Sequence, residues 1–122
     1  MTKILLVDDS KTMRRIQKNA LGGIGFEDIE EAEHGEEALK KLSETDFNLI
    51  LLDWNMPIMN GIDCLRAIKK GEKKDTPVIM VTSESQKSNI IEAIQAGAAN
   101  YIVKPFQPKI LKEKIVAVIG EG

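Results

Sequence analysis

The stretch Leu49-Ile50-Leu51-Leu52-Asp53-Trp54-Asn55-Met56-Pro57 decides the fold. Four branched apolar residues run without a polar interruption, and a carboxylate then ends the run. A continuous apolar strand is one covered on both faces, which is the mark of a parallel sheet with helices above and below. Asp53 is the anomaly in this run. An isolated buried carboxylate is costly, and Asp is seldom buried without a partner.

Outward from this stretch the same punctuation recurs. Lys3–Val7 forms an apolar run before Ser10–Gly23, where Met13, Ile16, Ala20 and Leu21 recur at helical spacing and Gly22-Gly23 stops the helix. Asp28–Ala32 is a weaker strand, apolar only at Ile29 and Ala32. Glu36–Glu44 follows as a helix with Glu36–Lys40 and Glu37–Lys41 placed as i,i+4 pairs. After Leu49–Leu52 comes a helix with Ile62, Leu65 and Ile68 on one stripe. Pro77–Val81 precedes a helix around Ile90, Ile91 and Ile94 that ends near Gly97. Tyr101–Val103 leads to a last helix with Pro108 in its first turn and a stripe of Leu111, Ile115, Val118 and Ile119.

Five strands alternating with five helices predict an α/β, doubly wound parallel sheet. The second strand is polar enough for one edge, and the short fifth strand suits the other. The order 2-1-3-4-5 is carried over from the general rule for flavodoxin-like sheets.

Composition sets the outer limits. A chain of 122 residues is the size of one domain. With 43% hydrophobic and 30% charged residues it reads as a folded globular protein. A net charge of -2 argues against nucleic-acid binding by bulk charge. The single cysteine, Cys64, forms no internal disulfide and is expected to pack in a helix. The first apolar run is too short for a signal peptide, and no run reaches the roughly 18 apolar residues of a membrane span. The expectation is one cytoplasmic domain over residues 1–122, monomeric, with no output domain after it.

The residues that end the apolar runs carry the chemistry. They are Asp8-Asp9, Asp53, Thr82 and Lys104. In a parallel sheet all strand C-termini lie at one end, where open α/β sheets bind ligands. Three clustered carboxylates repel one another, and a hard cation such as Mg²⁺ relieves the repulsion. With a lysine and a hydroxyl beside them they suit phosphoryl transfer, in which an aspartate acts as nucleophile. Asp53 then ends a buried strand because it faces that crevice, in order to be phosphorylated.

Taken together and in this order, Asp8-Asp9, Asp53, Thr82 and Lys104-Pro105 resemble a response-regulator receiver domain along the whole chain. The segments SKTMRR, EEAEHG, DWNMPIMNG, NIIEAIQAGA and YIVKPF are similar, more narrowly, to the CheY group of chemotaxis regulators. Asn60 departs from the commoner Asp before Gly61, and Asn-Gly is a good turn pair. The resemblance implies that Asp53 is the phosphoacceptor and that Asp8 and Asp9 hold Mg²⁺. Asp9, Asp53 and the backbone carbonyl of Asn55 are then direct ligands. It implies that Thr82 donates to the phosphoryl group, that Lys104 pairs with it, and that Lys104-Pro105 is cis. Asn55 and Glu84 tune dephosphorylation, and Tyr101 is the switch aromatic. The face of the fourth helix, fifth strand and fifth helix, with Lys87, Ile90, Tyr101, Phe106 and Lys114, is the one such regulators use for their partners. Those partners are a histidine kinase as phosphodonor, the flagellar motor switch and a phosphatase. The protein is then a switch that catalyses only its own phosphorylation and dephosphorylation. A stand-alone phosphorelay intermediate or phosphate sink is the alternative.

Plainer roles compete at several positions. Asp8-Asp9 suits a helix cap before Ser10, and Lys11, Arg14 and Arg15 suit a solvated helix face. Trp54 is expected as a partly exposed loop aromatic, and His34 as a surface loop residue. A turnover phosphatase of the haloacid-dehalogenase type would need an acid two residues after the nucleophile, where this chain has Asn55. A flavodoxin-like flavin carrier would need a phosphate loop where this chain has Asp8-Asp9.

Overall fold

The computed structural model describes residues 2–83, 89–104 and 106–120. Five strands, β1 (Lys3–Val7), β2 (Asp28–Ala32), β3 (Leu49–Asp53), β4 (Val78–Ser83) and β5 (Asn100–Lys104), alternate with five helices. The helices are α1 (Lys11–Gly23), α2 (Gly35–Glu44), α3 (Gly61–Lys70), α4 (Ile90–Gln95) and α5 (Pro108–Ile119). All strand pairs are parallel and the order is β2-β1-β3-β4-β5, as expected. β3 is buried at every residue, whereas β2 is only part-buried along most of its length at the sheet edge.

The pleat sorts the core into two layers, because successive side chains of a strand point to opposite faces. Leu5, Val7, Ile50, Leu52, Val78 and Met80 pack with Leu42 of α2 and with Leu65 and Ile68 of α3. Ile4, Leu6, Leu49, Leu51, Ile79 and Val81 pack with Leu21 of α1 and with Leu111 and Ile115 of α5. The same alternation corrects the expectation for Trp54. It lies two residues beyond Leu52, on the α2–α3 side, and is buried at 7% exposure.

α1 also differs from its apolar pattern. Its buried residues are Arg14, Gln17 and Leu21, while Ile16 is about half exposed at 49%. Arg14 therefore does not join a solvated face. Its guanidinium donates from Nη1 to the Asp8 carbonyl at 2.7 Å and from Nε to Glu31 at 2.9 Å. The first turns of α1 pass over the polar end of β1, so hydrogen bonding selects what is buried there. The Leu21 turn lies over the apolar core.

α4 is a helix of six residues with Ala93 as its buried contact. At about 100° per residue, Ile91 points almost opposite Ala93 and Ile94 points sideways. Both are exposed, at 70% and 47%, so the isoleucine pattern does not mark the core face. Ala93 brings the helix close to the sheet because it is small.

The loop from β3 to α3 turns back on the strand. Gly61 N–H donates to the Trp54 carbonyl at 2.7 Å, and a Cβ at Gly61 would collide with the backbone of Asp53 and Trp54. Asn60 is the N-cap of α3, its side chain accepting from Asp63 N–H at 3.0 Å. Ile58 within this loop has φ 70°, a left-handed conformation that branched residues rarely adopt. His34 is more than a surface residue. It caps α2, with Nδ1 accepting from Glu37 N–H at 3.2 Å, while Glu37 accepts from Glu33 N–H at 2.9 Å.

Candidate functional site

The carboxyl ends of β1, β3, β4 and β5 converge. Asp8 follows β1, Asp53 ends β3, Thr82 lies near the end of β4, and Lys104 ends β5. Oxygen atoms of Asp8, Asp9 and Asp53 all lie within 4.8 Å of one another. Asp8 and Asp53 are buried, at 1% and 5% exposure, while Asp9 is exposed at the crevice mouth. Lys104 Nζ lies 3.0 Å from Asp53 Oδ1 and 3.8 Å from Asp8 Oδ2.

Charge is unbalanced in this crevice. Burial pushes the Asp53 carboxyl up from an ordinary 3.8 to about 6. The Lys104 hydrogen bond and charge oppose that rise, and the charges of Asp8 and Asp9 add to it. Among the described residues three carboxylates face the Lys104 ammonium, and oxygen donors in this number suit a hard divalent cation. The residues present therefore fit Mg²⁺.

Thr82 is fully buried, and its Oγ1 has no hydrogen-bond partner among the described residues. Buried hydroxyls are almost always paired, so this one keeps an unused hydrogen-bonding capacity at the end of β4. Thr82 is one residue beyond Val81, the register partner of Asp53. It shares its pleat face with Met80, whose register partner is Tyr101. Tyr101 is part-buried against the α2–α3 layer, with Lys114 Nζ 4.4 Å from its ring centroid. Tyr101, Phe106, Ile110 and Lys114 line a cleft of about 450 Å³ beside β5 and α5. Ile90 is half-buried at the start of α4, and Asn55 is exposed two residues after Asp53. Glu84, Lys87 and Pro105 lie outside the described residues.

Cys64 is packed in α3, and burial pushes its thiol up to about 12, so it carries no thiolate at neutral pH.

Residues 4–116 match the response regulator receiver domain family. The chain belongs to that family. Within it, this receiver domain is 51% identical over 120 residues to chemotaxis protein CheY1 of Helicobacter pylori, each covering 97% of the other. It is 53% identical over 114 residues to chemotaxis protein CheY of Pseudomonas aeruginosa, covering 93% of this chain and 92% of that one. Among solved structures, the response regulator TrrA of Thermotoga maritima in complex with Mg²⁺-BeF has a TM-score of 0.85 and 38% identity. That match covers 97% of this chain and 99% of TrrA. The fold is that of CheY-like receiver domains, which are signalling switches.

Two residues of this site stand apart from the sequence expectations: Arg14 is expected on a solvated face, and Gln17 carries no expectation. Arg14 and Gln17 both hydrogen-bond Asp8. Their sequence signal is spacing, since they share a helix face with Leu21 at i, i+3 and i+7. That pattern was outweighed by the apolar residues at 13, 16 and 20.

Proposed function

We propose that this receiver domain is a phosphorylation-activated switch that receives a phosphoryl group on Asp53 from a histidine kinase. The observation that carries the reading is the buried Thr82 hydroxyl, without a partner among the described residues, at the strand end beside the Asp53–Lys104 pair. A phosphoryl oxygen supplies its missing partner. An Asp53 carboxylate oxygen attacks phosphorus, the bond from phosphorus to the kinase's histidine nitrogen breaks, and the imidazole leaves with that electron pair. Lys104 and Thr82 hold the charge that collects on the phosphoryl oxygens. Asp8, Asp9, Asp53 and the Asn55 backbone carbonyl would hold Mg²⁺, which would supply charge neutralisation at those oxygens. Asn55 and Glu84 set the access of hydrolytic water.

Output follows from Thr82. Drawn toward the phosphoryl group, it vacates space on the pleat face that it shares with Tyr101, and the ring moves inward. The surface around Ile90, Tyr101, Phe106 and Lys114 then accepts a partner. The similarity to chemotaxis proteins supports the flagellar motor switch as that partner, with a phosphatase resetting the signal. The reading places the protein in the cytoplasm as a monomer without turnover of external substrates. Among the described residues no helix is long and apolar enough to cross a membrane.

The test is intact-mass analysis after incubation with acetyl phosphate and Mg²⁺. One phosphoryl group is expected on the wild-type protein and none on Asp53→Asn. Equal labelling of the two overturns the assignment.

A further inference from the structure

The buried face of α1 presents a glutamine where an apolar residue would fill the same space. Gln17 is only 1% exposed, and a buried amide needs hydrogen-bond partners. Its Nε2 donates to Asp8 Oδ2 at 3.2 Å. The rest of Asp8 is pinned as well. Its N–H donates to the Ala32 carbonyl at 3.1 Å, its carbonyl accepts from Arg14 at 2.7 Å, and Oδ1 accepts from Ser10 N–H at 2.9 Å.

Oδ2 is the Asp8 oxygen that faces the Lys104 ammonium. Lys104 Nζ stands 3.8 Å from it, beyond hydrogen-bonding distance, while it bonds Asp53 at 3.0 Å. Without the Gln17 bond, a small rotation of the Asp8 carboxylate closes that gap. An oxygen bonded to the ammonium is already neutralised, and an incoming cation must first break the pair. We infer that Gln17 is a positioning residue that holds Asp8 off Lys104. It leaves Asp8 open to a divalent cation and leaves Lys104 to Asp53. The inference rests on the metal-assisted reading given above and adds to it a residue outside the set of ligands.

The test uses Mg²⁺ alone as the probe. Calorimetry and Trp54 fluorescence measure its affinity for the full chain, for Gln17→Met, for Lys104→Met and for the double variant. Loss of a hydrogen-bond partner behind a metal ligand typically weakens binding about 10–100-fold, and Gln17→Met should fall in that range. Lys104→Met alone should bind more tightly, because a competing positive charge is gone. In the Lys104→Met background the Gln17→Met change should cost less than about threefold, since no ammonium remains to capture Asp8. If the wild-type protein does not bind Mg²⁺, the metal reading falls and this inference falls with it. Binding by wild type with unchanged affinity in Gln17→Met overturns the inference alone. Equal weakening in both backgrounds also overturns it, because that pattern is general loss of packing. Should Gln17→Met fail to fold by circular dichroism, Gln17→Asn makes the same comparison, keeping the amide one methylene short of Asp8.

Discussion

Replacing Asp53 with asparagine should stabilise the metal-free protein near neutral pH. Asp53 is 5% exposed, and its carboxyl is raised by burial from 3.8 to about 6, with Lys104 opposing and the charges of Asp8 and Asp9 adding. At about 1.36 kcal/mol per pH unit, that rise sets a ceiling of about 3 kcal/mol on the cost of ionised Asp53. Water at the crevice mouth screens part of it, so about 1–3 kcal/mol is expected for Asp53→Asn. The sign follows from proton binding. A carboxyl raised on folding binds its proton more tightly in the folded state, so stability is present below the ordinary value and lost as pH rises through about 6. The gap between variant and wild type should therefore be widest near neutral pH and close toward about pH 4. Other carboxyls run the opposite way. Burial pushes Glu31 up, but Lys18 and Arg14 outweigh it and hold it below its ordinary value, and Lys73 lowers Asp46. Both are unchanged by the substitution, so the difference between the two proteins isolates Asp53. The assay is urea unfolding in a chelator, because bound Mg²⁺ would stabilise the wild-type fold by mass action. Slopes of about 1–3 kcal/mol per molar urea put the expected midpoint shift on the order of 1 M. Equal midpoints near neutral pH, or a gap that stays constant as pH falls, would refute the electrostatic account.

Three further outcomes are expected. Ile58→Asn should stabilise the fold by about 1 kcal/mol in urea unfolding, because φ 70° is strained for a branched residue and tolerated by asparagine. Gly61→Ala should lower the thermal midpoint markedly, since its Cβ meets the Asp53 and Trp54 backbone and not a movable side chain; an unchanged midpoint would show that the loop can retreat. A motor-switch peptide should bind the beryllofluoride-treated protein about 5–150-fold more tightly than the untreated protein, and Tyr101→Ala should shrink that gain in a fluorescence titration.

The sequence alone determined the alternation of strands and helices and which side chains end the strands. Uninterrupted apolar runs at 49–52 and 78–81 demand cover on both faces, which forces a parallel sheet. Parallel strands bring their last residues to one end, so Asp8, Asp53, Thr82 and Lys104 had to meet. That inference needs only period and topology. Tertiary structure decided which helix residues face inward, because that depends on what each helix crosses. Arg14 and Gln17 are buried on α1 since the Asp8 carbonyl and carboxylate beneath them accept their hydrogen bonds, while Ile16 is left in solvent. Ala93 takes the contact position on α4, and Ile91 and Ile94 turn outward. Trp54 goes inward because the pleat of β3 continues one residue past the strand. Hydropathy weighs each side chain against water. Whether a glutamine is buried beside an aspartate is settled by a hydrogen bond between residues on different elements, and only the assembled fold brings those atoms within 3.2 Å.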